Sequence, residues 1–149
     1  MQVLRSTIVV VCAACVFVAC GGDSPTGNND NDDGGGNTRE ILASPAFGAN
    51  IQEIFDRRGC SAGNCHGSAN SGALTLTSGA SHGNLVGVTS SGESPKILVV
   101  AGDAVNSYLV MKLEGTQTVG VRMPQGLGAL DNIDLTNIKN WIDNGAANN

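Results

Sequence analysis

The sequence CSAGNCH, residues 60–66, places two cysteines and a histidine within seven positions. Each thiol of such a group can add to one vinyl group of a porphyrin, and the adjacent imidazole then binds the iron. Four residues separate Cys60 from Cys65, whereas the usual C-x-x-C-H motif has two. The stretch therefore predicts one covalently attached haem c, with Cys60, Cys65 and His66 as the residues that hold it.

A methionine 57 residues after His66 offers a ligand for the opposite face of the iron. A methionine thioether can serve as an axial haem ligand, which makes Met123 the candidate distal ligand. Pro124 follows it directly. His82 is the alternative distal ligand, although a solvated loop position is its simpler interpretation. Because a ligating histidine usually donates its other ring nitrogen, we also expect a carbonyl partner for His66. With both axial positions filled, an electron carrier is expected rather than an enzyme.

Helices are predicted on both sides of this motif. Apolar residues with helical spacing lie before the motif and near the chain end: Phe47, Ile51, Ile54 and Phe55, then Leu135, Ile138, Trp141 and Ile142. Ser44 and Pro45 predict the start of the first helix and Gly59 its end. The last helix is expected after Asp134, ending at Gly145, and the two apolar stripes are expected to pack together.

The middle of the chain gives weaker signals. A third helix is predicted over residues 104–113, with Asp103 as its N-cap. Residues 74–76 and 97–100 are predicted to be extended, and glycines interrupt the chain between them. The predicted fold class is therefore mainly α, with a loop-rich middle that can hold a small strand pair.

The N-terminal part has the pattern of an exported protein. Residues 8–19 form an apolar run after Arg5 that is too short to span a bilayer, so residues 1–19 are predicted to be a signal peptide. Residues 17–21, FVACG, resemble a bacterial lipobox, which implies lipid attachment at Cys20. Ordinary signal cleavage with a soluble secreted product is the alternative.

A polar linker follows the predicted lipidation site. Gly21 to Thr38 contain six Gly, four Asn and four Asp among 18 residues, which is too little apolar surface to fold. Residues 20–38 are therefore interpreted as the lipidated cysteine and a flexible spacer, and residues 39–149 as the folded domain.

The count of cysteines restricts the state of the mature thiols. Cys12 and Cys15 would leave with the signal peptide, and the lipobox resemblance implies a lipid on Cys20, so only Cys60 and Cys65 would remain as free thiols. In an oxidising compartment these two would be linked either to haem or to each other. A zinc site would need a fourth ligand besides the two thiols and His66, and only one imidazole is left for it.

Charge and composition exclude one class of partner and favour a bound cofactor. The net charge is -5, and no basic patch with interleaved aromatic residues occurs, so nucleic-acid binding is not expected. Few aromatic residues are present, and a porphyrin could supply the missing apolar bulk by packing among Ile54, Leu74, Leu76, Leu98, Leu109, Leu113 and Leu127. Arg57, Arg58 and Arg122 are expected either to face haem propionates or to lie on a solvated surface.

Residues 43–147 resemble a class I cytochrome c, and also the small haem domains of bacterial lipoproteins. The segments that carry the resemblance are CHG at 65–67, GDAVNSYL at 102–109, RMP at 122–124 and IKNWIDNGA at 138–146. The resemblance implies thioether bonds at Cys60 and Cys65, proximal ligation by His66 and distal ligation by Met123. It also implies redox partner proteins and a lipid-anchored place in the cell envelope. The runner-up hypothesis is a haem-free surface lipoprotein that binds a partner and is stapled by a disulfide.

Overall fold

In a computed structural model, residues 39–149 of the chain are described. The predicted signal peptide, the lipid site at Cys20 and the linker all lie outside these residues. Of the described residues, 34% are helical and 5% are in strand pairing, so the prediction of a mainly α domain is confirmed. No helix within this part of the chain is long and apolar enough to cross a membrane.

Four α-helices and two irregular turns make up the regular structure of the described domain. A π-helical turn at Phe47–Ile51 runs directly into α1 (Gln52–Arg57), and a 3-10 turn follows at Ser71–Ala73. The remaining helices are α2 (Ser81–Leu85), α3 (Tyr108–Glu114) and α4 (Asn132–Asp143).

The predicted pairing of the first and last helices is present. The Phe47 ring lies 5.1 Å from that of Trp141, and Ile51 and Ile138 are completely buried in the same core. Burial of these large apolar side chains is the main stabilising contribution to the helix pair. The first helix nevertheless begins at Phe47 and not at Ser44 and Pro45, so the predicted start is wrong.

Capping hydrogen bonds explain the observed starts of the two helices. The Ala46 amide donates to Asn50 Oδ1 at 2.8 Å, which fixes the first turn. Asp131 is the N-cap of α4, and its carboxylate accepts the Asp134 amide at 2.9 Å. α4 therefore begins at Asn132, whereas the sequence pattern placed the start of this helix after Asp134.

The helix predicted over residues 104–113 is shorter than expected. Asp103 does not cap a helix; its carboxylate accepts the Asn106 amide at 3.0 Å and closes a separate turn. Ser107 Oγ donates to the Asp103 carbonyl at 2.8 Å and accepts the Val100 amide at 2.9 Å. Because these side-chain bonds satisfy the local backbone, α3 begins only at Tyr108.

Strand pairing in the middle of the domain is limited to isolated bridges. Val86 pairs with Val99 and Thr89 with Ile97, so the extended prediction for residues 97–100 finds partners. Residues 74–76 are extended without a ladder, and α2 was not predicted at all. No regular strand pair forms within the described residues, because the Val86–Val99 bridge is parallel and the Thr89–Ile97 bridge is antiparallel.

A row of three asparagines on α4 binds the backbone of residues 40–43. Asn137 Oδ1 accepts the Leu42 amide at 2.8 Å, and its Nδ2 donates to the Glu40 carbonyl at 2.9 Å. Asn140 Nδ2 donates to the Leu42 carbonyl, and Asn144 Nδ2 donates to the Ala43 carbonyl, each at 2.7 Å. The chain thus enters the described domain along one face of α4.

Candidate functional site

Residues 60–67 form a compact loop that closes on itself directly after α1. The Cys60 amide donates to the Phe55 carbonyl at 2.8 Å, which continues the helical bonding into the motif. Within the loop, the His66 amide donates to the Cys60 carbonyl at 3.0 Å, and the Cys65 amide to the Ala62 carbonyl at 2.9 Å. The four-residue spacer is therefore accommodated as one tight turn between the cysteines.

Gly67 lies at the end of this turn, at a position where there is no space for a side chain. A Cβ atom at Gly67 would lie 2.5 Å from the Ser61 carbonyl oxygen and 2.7 Å from that of Ala62. Its amide also donates to the Ala62 carbonyl at 2.9 Å. Close approach of the two backbone segments thus requires glycine immediately after His66.

Both cysteines carry free thiols and are partly buried. Cys60 packs against the main hydrophobic core. Burial raises the pKa of the Cys60 thiol to about 11, and the charge of Cys65 adds to this effect. The thiol of Cys60 is consequently protonated at neutral pH, which makes it a poor nucleophile.

The His66 imidazole has the carbonyl partner that the sequence predicted. Nδ1 lies 3.3 Å from the Leu74 carbonyl oxygen. Because a carbonyl oxygen only accepts, Nδ1 is the protonated nitrogen and Nε2 carries the free lone pair. The Leu76 amide donates to the His66 carbonyl at 2.6 Å, so the extended residues 74–76 run beside the histidine and orient it.

Met123 lies on a long loop and is partly buried. Its side chain packs against the same hydrophobic core as Cys60, and its amide donates to the Lys112 carbonyl at 2.8 Å. The structure thus brings both the attachment loop and the methionine onto one core.

His82 occupies a different part of the domain. It lies on α2, partly buried, with its ring 5.0 Å from that of Phe47 and 6.1 Å from that of Trp141. Nε2 is 2.8 Å from the Ala146 carbonyl oxygen, so it is engaged as a donor. The prediction of a solvated loop residue is therefore wrong, and His82 contributes to the packing of the helix pair.

Most of the apolar side chains that were expected around a porphyrin are used by the protein core. Four of the seven are buried, namely Ile54, Leu76, Leu109 and Leu113. Leu74 and Leu98 are partly buried at the edge of that core, whereas Leu127 is 62% exposed. Leu74 and Leu98 are therefore the two members of the predicted set that lie partly exposed at the edge of the core.

The arginines beside the motif form ion pairs with α4. Asp134, whose side chain is 2% exposed, accepts Arg57 Nη2 at 2.7 Å, Arg58 Nε at 2.6 Å and Arg39 Nη1 at 3.0 Å. Asp131 pairs with Arg39 at 2.7 Å and also with Arg58. Arg57 and Arg58 therefore bind protein carboxylates and hold the end of α1 against the start of α4.

The two aspartates were missed by the sequence interpretation. Asp131 and Asp134 are three residues apart at a helix start, a capping pattern that was available as a signal. Burial acts to raise the pKa of Asp131, but hydrogen bonds from the Asp134 amide and Arg39 outweigh it and lower that pKa. Arg122 is exposed and forms no ion pair within residues 39–149.

No group of three or more His, Cys, Asp or Glu side chains in the described domain is arranged to hold a metal ion. Cys60, Cys65 and His66 therefore do not form a preassembled zinc site. Thioether attachment does not require three metal-binding side chains close together, because each thiol bonds to a carbon of the porphyrin and, within this motif, only the imidazole binds the iron. Comparison with known proteins identified no matching family model, curated protein or solved structure.

Proposed function

We propose that this protein is a lipid-anchored monohaem c-type cytochrome that carries electrons between redox partner proteins in the bacterial cell envelope. The observation that carries the proposal is the His66 ring, oriented by the Leu74 carbonyl directly beside two free thiols of one loop. This arrangement matches the needs of a proximal ligand, whose second ring nitrogen is fixed by a backbone carbonyl.

The fold is consistent with this function. The first helix leads straight into the attachment loop and packs on the last helix through Phe47 and Trp141. We propose that the mainly α domain is a cytochrome c-like domain on the basis of this order of elements. The cytochrome c-like assignment and the redox function form one hypothesis.

Each residue of the candidate site has a defined role in this proposal. A bound haem c supplies an iron that accepts and releases one electron. The Cys60 and Cys65 thiols would hold this group covalently, each adding across a vinyl double bond, with sulfur bonding one carbon and the hydrogen going to the other. His66 Nε2 and the Met123 sulfur would be the iron ligands, and the soft thioether would favour the reduced state. A site closed on both faces favours electron transfer over substrate chemistry.

Attachment is tested by expressing the exported chain together with a cytochrome maturation system. We expect sharp visible bands on reduction and an intact mass increased by one haem. Cys60→Ala and Cys65→Ala should each remove one thioether bond, and the double variant should lose covalent haem. A colourless folded protein whose mass is lower by two hydrogens would contradict the proposal and support the disulfide-stapled binding module.

The distal ligand is tested separately with Met123→Ala. Loss of the thioether should abolish the weak sulfur-to-iron charge-transfer band and lower the reduction potential, because sulfur ligation raises the potential. Met111→Leu on α3 is the matched methionine control and should leave both unchanged. If the wild type shows no such band, and His82→Gln changes the potential while Met123→Ala does not, the distal assignment is wrong.

A further inference from the structure

Residues 115–130, which we call the methionine loop, carry Met123 between α3 and α4. Within the described domain these residues form neither helix nor strand. Val119 and Leu127 are 48% and 62% exposed, so apolar contacts with the core hold the loop mainly at Met123 and Leu130. A loop with few buried contacts opens easily unless polar contacts restrain it.

The carboxylate of Glu93 supplies one such restraint. It accepts the Thr118 hydroxyl at 2.8 Å and the amides of Thr118 and Val119 at 3.2 Å each. Its side chain is only 10% exposed, and Lys96 Nζ lies 3.6 Å from Oε1, the oxygen that also accepts the Thr118 hydroxyl. A single carboxylate thus binds three donors of the methionine loop, and charged acceptors make the stronger hydrogen bonds.

Glu93 is itself presented by an ordered turn. Buried Ser90 Oγ accepts the amides of Gly92 and Glu93 at 3.2 Å each. The Lys96 amide donates to the Glu93 carbonyl at 2.9 Å, and the Ser90 amide to the Lys96 carbonyl at 2.8 Å. The carboxylate is therefore preorganised before it meets the methionine loop.

Lys112 on α3 supplies the second restraint. Its ammonium group donates to the Val121 carbonyl at 2.5 Å and to the Val119 carbonyl at 3.5 Å. Its own carbonyl accepts the Met123 amide at 2.8 Å. One residue of a regular helix therefore contacts the methionine loop on both sides of Arg122.

We propose that Glu93 and Lys112 are positioning residues that hold the methionine loop so that the Met123 sulfur stays on the iron. The proposal rests on the function proposed above and extends it to residues that touch neither haem nor iron. Glu93 fixes the loop at Thr118 and Val119, and Lys112 fixes it from there to Met123.

The experiment compares Glu93→Gln with Glu114→Gln in the haem-loaded full chain. Glutamine cannot reproduce a carboxylate that accepts three donors, whereas the Glu114 carboxylate pairs with Lys139 at 2.9 Å and accepts no hydrogen bond from the methionine loop within the described residues. For Glu93→Gln we expect amide hydrogen exchange at Thr118 and Val119 to accelerate by about three- to tenfold. The charge-transfer band should weaken and the potential should fall, while Glu114→Gln changes none of these.

Two further variants test the same restraints at other residues, in case Glu93→Gln prevents the domain from folding. Thr118→Val removes one donor from an exposed position and should show the same changes to a smaller degree. Lys112→Met keeps the aliphatic stem and the carbonyl that accepts the Met123 amide, but it removes the bond to the Val121 carbonyl. Exchange of the Met123 amide should therefore accelerate.

If haem is attached and Met123 is its ligand, yet Glu93→Gln and Glu114→Gln behave alike, the positioning role is overturned and the cytochrome function stands. If the wild-type chain carries no haem, the cytochrome function fails and the proposed role toward iron fails with it.

Discussion

His66 and Gly67 show how neighbouring residues with different chemistry produce one attachment loop. His66 can offer Nε2 because its Nδ1 donates to the Leu74 carbonyl. The lack of a side chain at Gly67 lets its amide reach the Ala62 carbonyl at 2.9 Å. The two extra residues between the cysteines therefore change the shape of the turn without displacing the histidine from its carbonyl partner.

Gly67→Ala is expected to destabilise the loop. The new methyl group would overlap the carbonyl oxygens of Ser61 and Ala62, and overpacking of this kind costs about 1–3 kcal/mol. Gly63→Ala is the matched control, because its methyl group would meet only the movable Ser68 hydroxyl at 3.3 Å. Thermal unfolding followed by circular dichroism should separate the two variants, and equal melting temperatures would refute the assigned role of Gly67.

The raised pKa of Cys60 predicts slow alkylation of that thiol in the haem-free chain. At pH 8.5 an ordinary cysteine is about half ionised, whereas a thiol with a pKa of about 11 has well under about 1% thiolate. Alkylation of Cys60, measured by mass spectrometry of its peptide, should therefore keep accelerating up to about pH 11. The denatured chain serves as the control: its rate should be half-maximal near about pH 8.5 and should level off above that pH. Identical profiles for the folded and denatured chains would exclude the buried environment.

The helices differ in how far the sequence could predict them. Spacing of large apolar residues identified the first helix and α4, because these faces are buried and burial dominates their formation. The start of α3 was wrong because Asp103 and Ser107 bind nearby backbone groups, which competes with a helix. The motif predicted a carbonyl partner for His66, and the Leu74 oxygen is that partner. The ion pairs of Asp134 could not be predicted in this way, because they join residues that are far apart in sequence.

The ion pairs between α1 and α4 predict a stability that is lost in acid. Because the pKa of Asp131 is lowered on folding, its stabilising contribution is present above the unfolded value of about 3.9 and is lost as pH falls through the lower folded value. Asp131→Asn keeps a capping side chain and removes the charge.

Melting temperatures at pH 7 and near pH 2.5 check this expectation. The variant should melt below the wild type at pH 7, and the difference should shrink toward zero at the lower pH. Glu40→Gln is the control, since the Glu40 carboxylate is exposed and forms no ion pair within residues 39–149. A difference that stays constant between the two pH values would show that Asp131 acts without its charge.

The complete domain contains a well-packed core and a partly covered apolar edge. All four aromatic residues of the described chain are buried, whereas Leu74, Leu98 and Met123 only rest against the core. Covering these side chains with a flat apolar group would remove further apolar surface from water.

Haem attachment should therefore raise the melting temperature of the domain. We expect an increase of about 10 °C or more over the same sequence produced without maturation and kept reduced, since about 1 kcal/mol shifts a domain of this size by about 4–8 °C. Differential scanning calorimetry of the two preparations makes the comparison without any substitution. Equal melting temperatures in samples with and without attached haem would mean that the cofactor does not cover the apolar edge.

The asparagine row on α4 has a mechanical consequence. Four side-chain hydrogen bonds join Asn137, Asn140 and Asn144 to the backbone of residues 40–43, and they lie one after another along the helix. Pulling on the chain from its N-terminal side would load these bonds together before strain reaches α1 and the loop that follows it. A force applied to the N-terminal side would therefore be borne by α4 before it reached the loop that carries Cys60 and Cys65.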